Sequence, residues 1–280
     1  MPNVYIDPLT DYGSKLLFGQ KAVMIAMLNA LLPEEDAIAD LEYARTEVVG
    51  SAPMAKAIVY DFHCVTLDAR RIIVEVQQAS HHWFMDRCLH YVSRAMDDQI
   101  AKGEASFELK PVYLVAIMDF DLGLSGDDFR SVVELRDQNG ALFTNKLRLY
   151  FLDLTKLDFM TDAAELAPLE QWMRAIKTMG SATEVPSWVT DTRVRDAYGA
   201  AELSKLPEEE RVKYALELKA DENRRAEWLA KFKEGKSEGK AEGKAEVAVR
   251  MYRAGYTLET VAELVGVSVE QVELWISQAG

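Results

Sequence analysis

Two carboxylates stand where strand-forming sequence rarely carries them. Asp61 interrupts the run from Ala57 to Val65, and Glu75 follows Ile72-Ile73-Val74; acidic residues are depleted in strands of this β-branched, apolar kind. The runs 57–65 and 72–77 flank Leu67-Asp68-Ala69-Arg70 and read together as a β-hairpin. Side chains alternate along a strand, so Ile73, Glu75 and Gln77 share one face while Val74 and Val76 take the other. If the chain turns about Asp68, then Asp61 and Glu75, each seven residues from it, face each other with Cβ atoms about 5 Å apart. A two-residue loop at Asp68-Ala69 would set Asp61 against Val76 and split the pair across faces. The arrangement therefore requires an odd-length loop or a bulge.

Two carboxylates held that close repel, and burying them costs on the order of several kcal/mol unless something neutralises them. Oxygen ligands suit a hard divalent ion, Mg²⁺ or Mn²⁺. Such an ion could activate water and stabilise negative charge developing on a phosphodiester. The alternative is that one carboxylate points to solvent from an edge strand, or pairs with Arg70, Arg71 or Arg87. Periodicity alone leaves both readings open.

The elements that must hold this hairpin can be read around it. Over residues 12–32 apolar side chains recur at helical spacing, with Thr10 or Asp11 able to cap the start and Pro33 ending the run. A polar, acidic stretch continues to about Pro53. Residues 83–102 read as a helix closed by Gly103, and 111–118 form a nearly continuous apolar run, as in a strand buried on both faces. Further strands are expected at 132–135 and 147–152. The order implies an α/β domain over 1–160. Beyond it come a helical extension over 161–233 with breaks near Pro168, Pro186 and Pro207, a Gly/Lys/Glu-rich helical linker over 234–250, and a small helical hairpin over 251–280.

Composition sets the outer bounds. At 280 residues, with 49% hydrophobic and 28% charged residues, the chain is globular rather than disordered. No apolar run is long enough for a membrane span. The first residues lack the pattern of a signal peptide, and Cys64 and Cys88 suit a reducing compartment, so a cytoplasmic location is expected. A net charge of −14 weighs against nucleic acid as a partner, since phosphate affinity comes mainly from Lys and Arg; a local field or a bound metal can reverse that at one cleft.

The segment Thr10-Asp11-Tyr12-Gly13-Ser14-Lys15-Leu16-Leu17-Phe18-Gly19, then Asp61, then Val74-Glu75-Val76-Gln77, then Phe84, Arg87 and Tyr91 resembles the PD-(D/E)XK transposase-like nucleases, also called recombination-promoting nucleases. Leu28-Asn29-Ala30-Leu31, Pro111-Val112-Tyr113 and Leu154-Thr155-Lys156-Leu157 fit the same pattern, as do the glycine-lysine-glutamate segment and the tail, so the likeness covers essentially the whole chain. It implies a restriction-endonuclease-like core, a mixed central sheet flanked by helices, cutting DNA with Mg²⁺ or Mn²⁺. Asp61 and Glu75 would be metal ligands. Gln77 takes the position usually held by the motif's lysine, where it could orient the attacking water but carries no charge. Asp11 could add a further acid, or serve only as a helix cap. Lys15 and Arg87 could contact phosphate or form ordinary salt bridges, and Tyr91 reads as packing. Ser14 departs from the family, which usually has a large aromatic there.

Three other features compete for attention. His63, Cys64, His81, His82, Cys88 and His90 lie close in sequence, but without the spacing of a tetrahedral zinc site. Glycines at every fourth position over 235–243 give a bare stripe, compatible with a solvated linker or with a homodimer through the C-terminal helices. The hairpin at 257–276 has helix-turn-helix spacing, yet its second helix carries Glu270 and Glu273 and no cation, which argues against DNA reading. Two functions follow: a metal-dependent DNA endonuclease that could promote recombination, or a catalytically inert protein-interaction module on the same fold.

Overall fold

A computed structural model of the chain describes residues 4–48, 58–80, 82–100, 108–124, 126–161 and 165–279. The expected first strand residue Ala57, His81 and the expected helix end at Gly103 lie outside these. Contacts divide the protein into two units, Met1–Ala215 and Leu216–Gly280.

The first unit is built on a six-stranded mixed sheet. Its strands are β1 (Leu41–Tyr43), β4 (Phe62–Thr66), β5 (Arg71–Gln77), β6 (Val112–Met118), β7 (Arg130–Glu134) and β8 (Leu147–Asp153), arranged β1-β4-β5-β6-β8-β7. β2 (Glu47–Val48) and β3 (Ile58–Val59) form a separate two-stranded ladder. β5, β6 and β8 run parallel at the centre, while β1, β4 and β7 are antiparallel to their neighbours. β6 is buried along its whole length, as its apolar run requires. β1 falls in the stretch read as polar and is recruited only through pairing with β4.

The helix expected over 12–32 is two helices, α1 (Asp11–Phe18) and α2 (Lys21–Leu31). Gly19 closes α1 by donating its N–H to Lys15, and Gln20 is extended, so the backbone turns within an otherwise unbroken apolar pattern. Thr10 is the cap: its hydroxyl accepts from Gly13 N–H. Gly13 is obligatory, because a Cβ there would sit 2.0 Å from the Asp7 carbonyl oxygen. Buried Ser14 turns its hydroxyl back onto the Asp11 carbonyl.

α3 (Phe84–Asp97) links β5 to the parallel β6, the long crossover that parallel pairing needs. It ends five residues before the expected boundary, with Asp98 as its cap. Phe84, Cys88, Tyr91, Val92 and Ala95 form its buried stripe and pack on Ile73, Leu114 and Ala116. The alternation of β5 places Glu75 on this same α3-facing side. α4 (Pro168–Thr178) and α5 (Thr192–Ala200) complete the first unit together with the start of α6 (Glu208–Arg253). The described residues of the expected helical extension 161–233 fall in the sheet-bearing unit up to Ala215, and α6 runs without a break through 234 and 250.

In the second unit the last turns of α6 pack with α7 (Leu258–Val265) and α8 (Val269–Gln278) around Ala248, Val261, Ala262 and Val272. Gly266 takes the left-handed conformation that ends α7, and Thr257 and Ser268 cap α7 and α8.

Candidate active site

β4 and β5 pair Phe62 with Val74, His63 with Ile73 and Cys64 with Ile72. Extended by one position, this register sets Asp61 against Glu75, as the symmetry about Asp68 requires. The loop is odd in length: Leu67, Asp68 and Ala69 lie between Thr66 and Arg70, whose backbones bond at 3.0 Å. Ala69 closes it with φ of 64°, the left-handed residue typical of a three-residue hairpin. Arg70 braces the loop through Asp68 and also holds Asp36.

The expected strand 57–65 is not continuous. It breaks at Tyr60–Asp61, so Asp61 sits just before β4 rather than inside a strand. There the two carboxylates replace the backbone ladder. Val76 N–H donates to Asp61 Oδ2 at 2.9 Å, and Asp61 N–H donates to Glu75 Oε1 at 3.2 Å. Each acid accepts from the other strand, and the pair is brought together on one side of the sheet. In the neighbouring strand the small Ala116 lies beside Glu75.

Glu75 is only 3% exposed. Burial pushes its carboxyl well above the usual carboxylate range, and the Asp61 charge pushes it further. Burial raises Asp61 as well; the Val76 amide opposes this, and Asp11 adds to it. Lys15 and Arg87 pull Asp61 in the opposite direction. Asp11 and Lys15, both exposed on α1, are therefore near enough to bias the pair. With Thr10 holding the cap, the Asp11 carboxylate is not spent there.

Of the three arginines that could have neutralised the pair, Arg70 is held by Asp36 and Asp68, and Arg71 by the carbonyls of Ala95 and Asp98. Arg87 reaches the site, with Nη2 3.9 Å from Glu75 Oε2 and donating to Gln77 Oε1 at 2.6 Å. Its guanidinium carbon lies 5.3 Å from the Phe84 ring centre and 5.9 Å from that of Tyr91. Tyr91 in turn donates its hydroxyl to the Val59 carbonyl. It is more than packing, because it ties α3 to β3 and supports Arg87. Sequence reasoning missed this clamp, although the spacing of Phe84, Arg87 and Tyr91, three and four residues apart, is that of side chains on one helix face. Exposed Trp83 and His82 join Phe84 and Arg87 in lining a pocket of about 330 Å³.

His63 bonds the Arg45 carbonyl, and its pKa is lowered by burial. The thiols of Cys64 and Cys88 are pushed up to about 12 by burial, and His90 is exposed. Among the described residues no group of three or more His, Cys, Asp or Glu side chains is arranged to hold a metal ion. The donor set at Asp61 and Glu75 nevertheless fits one hard divalent cation. Among the described residues, one oxygen of each carboxylate carries a hydrogen bond and the other does not, burial raises both carboxyls, and Mg²⁺ commonly takes only one or two protein carboxylates.

The mixed six-stranded sheet with flanking helices fits a restriction-endonuclease-like fold. Residues 8–229 match the family model described as PD-(D/E)XK nuclease family transposase. The match spans more than half of the chain, and the protein belongs to that family, which supports a nuclease or transposase-like function. The match stops at residue 229, so the glycine-lysine-glutamate segment and the tail lie outside it. No curated protein and no solved structure matches the chain. Among the described residues no helix is long and apolar enough to cross a membrane.

Proposed function

We propose that the protein is a Mg²⁺-dependent DNA endonuclease, hydrolysing phosphodiester bonds by direct attack of water, with recombination as a downstream consequence of the breaks. The observation that supports this reading is the reciprocal pair: half-buried Asp61 and buried Glu75, each accepting a backbone N–H from the other side of the hairpin, each with its carboxyl raised by burial.

Asp61 and Glu75 would hold the cation. When bound, Mg²⁺ or Mn²⁺ would polarise the phosphate and lower the pKa of water. The protein's own groups do the rest. Gln77, two residues after Glu75 on the same face, orients the attacking water through its amide. Lys15 and Arg87 meet the phosphate, and Asp11 adds an acid at the edge of the site. The water oxygen bonds to phosphorus, one P–O ester bond breaks, the released oxygen takes up a proton, and no covalent enzyme intermediate forms. The net charge of −14 makes local positive charge the deciding factor for DNA binding.

Purified protein should nick or cut plasmid DNA with Mg²⁺ and stop with EDTA, and Asp61→Ala and Glu75→Ala should each abolish cutting while keeping the native circular dichroism spectrum. If both variants cut normally, the site assignment is wrong. The neutral Gln77 favours a second reading, a catalytically weak or inert interaction module; a wild type that fails to cut under any divalent metal would support it.

A further inference from the structure

The site contains more negative than positive charge, and its strand supplies no cation. Asp61 bears on Glu75 and Asp11 on both, a phosphodiester would add another negative charge, and Gln77 is neutral. The nearest guanidinium comes from another element. Arg87 on α3 donates Nη2 to Gln77 Oε1 at 2.6 Å, a short, charge-assisted bond. Arginine has only donors, so the Gln77 oxygen is the end that faces Arg87, and the Gln77 NH₂ group points away from it. The guanidinium is fixed by Phe84 and Tyr91. Its Nε is buried without a partner, yet a third of the side chain is open to solvent. Arg87 is thus rigid, under-satisfied and accessible.

We infer that Arg87 supplies the positive charge that Gln77 lacks: the two side chains act as one unit, with Gln77 presenting its amide to the attacking water and Arg87, as a positioning residue, setting the direction of that amide and the local charge. The inference rests on the nuclease reading of the site. It predicts that the charge is transferable between α3 and β5, which a purely structural arginine would not allow.

The test is a four-variant set assayed for plasmid cutting in Mg²⁺ and for Mn²⁺ affinity by calorimetry on DNA-free protein. Arg87→Ala should lower cutting by about 10²-fold or more. Gln77→Lys placed in the Arg87→Ala background should recover about tenfold or more of that loss, because the cation returns to the same place from β5. Gln77→Lys alone sets an ammonium against the guanidinium and should cut no faster than wild type. Arg87→Lys keeps a charge but loses the planar fork, and should fall between wild type and Arg87→Ala. In the calorimeter Arg87→Ala should bind Mn²⁺ several-fold more tightly than wild type, since a cation 3.9 Å from Glu75 has gone. A structural collapse would weaken affinity and cutting together. If Arg87→Ala cuts like wild type while Asp61→Ala does not, the inference about Arg87 fails and the nuclease reading stands. If Asp61→Ala and Glu75→Ala still cut, the nuclease reading fails first. Should no variant cut, the calorimetry decides: Mn²⁺ bound no more tightly by Arg87→Ala overturns the inference.

Discussion

Asp61 carries two jobs that substitution can separate. Its Oδ2 accepts the Val76 N–H at 2.9 Å where the β4–β5 ladder gives out, and its charge raises Glu75. Asp61→Ala removes both. The Val76 amide, in a residue only 6% exposed, then lacks a partner, at a cost of about 1–3 kcal/mol, and the relief of Glu75 offsets part of it. Asp61→Asn keeps an acceptor for Val76 and discards only the charge. In EDTA at neutral pH, Asp61→Asn should therefore be at least as stable as wild type and about 1–2 kcal/mol more stable than Asp61→Ala. A unit of this size shifts Tm by about 2–4 °C per kcal/mol, so thermal unfolding by circular dichroism should separate the two variants by about 2–8 °C. Both should fail to cut DNA in Mg²⁺. Equal unfolding temperatures, or an Asn variant less stable than the Ala variant, would refute the reciprocal-pair account. An Asn variant that cuts normally would remove Asp61 from the chemistry.

Three further outcomes follow from the same geometry. Glu75 is raised in the folded state, so its contribution is fully present below the ordinary carboxylate range and is lost as pH rises through the raised value; in EDTA, wild type should lose stability relative to Glu75→Gln between about pH 5 and 9, and saturating Mg²⁺ should cancel the difference. A flat difference in EDTA would sink that linkage. Ala69 holds φ of 64°, a left-handed conformation costing about 1–2 kcal/mol for a residue with a Cβ, so Ala69→Gly should stabilise the hairpin by about 0.5–1 kcal/mol after the entropy of glycine is deducted, read as a shift in denaturation midpoint; destabilisation would mean that the loop is held by something other than its backbone. A Cβ added at Gly235, Gly239 or Gly243 would meet nothing within 4 Å. If that bare stripe seats a second copy, alanine at all three positions should turn a dimer into a monomer by light scattering, whereas gained helicity with unchanged mass fits a solvated helix.

The most informative part of the sequence was the part that broke strand rules. Asp61 and Glu75 were visible because carboxylates are poor strand residues, and their register followed from symmetry about Asp68. The turn itself was less legible. Nothing in Leu67-Asp68-Ala69 advertises a left-handed third residue, which is usually Gly or Asn. The break between α1 and α2 was hidden because the apolar period continues through Gly19-Gln20; a helical period cannot reveal a turn that leaves the buried face on the same side. β1 was missed since a three-residue edge strand has too few alternations to register against an acidic background, and its existence depends on β4. The Gln77–Arg87 bond joins a strand to a helix ten residues later, and no periodicity encodes which two side chains meet across such a crossover.

Net charge says little about any single site for a related reason. Much of the acidity in the first unit is locally matched: Asp36 meets Arg70 and Arg148, Glu134 meets Arg136 and Arg148, and Asp119 meets Lys177. Glu75 is matched only loosely, with the Arg87 guanidinium 3.9 Å away and donating to Gln77. A fold that only needed stability would gain from amides in place of Asp61 and Glu75, because burial raises both carboxyls and the Asp61 charge raises Glu75 further. Holding two acids against that cost makes sense where a divalent cation completes the charge balance. The same imbalance should make metal-free protein the less stable form above neutral pH, and should make the metal a stabiliser of the hairpin as well as a participant in its chemistry.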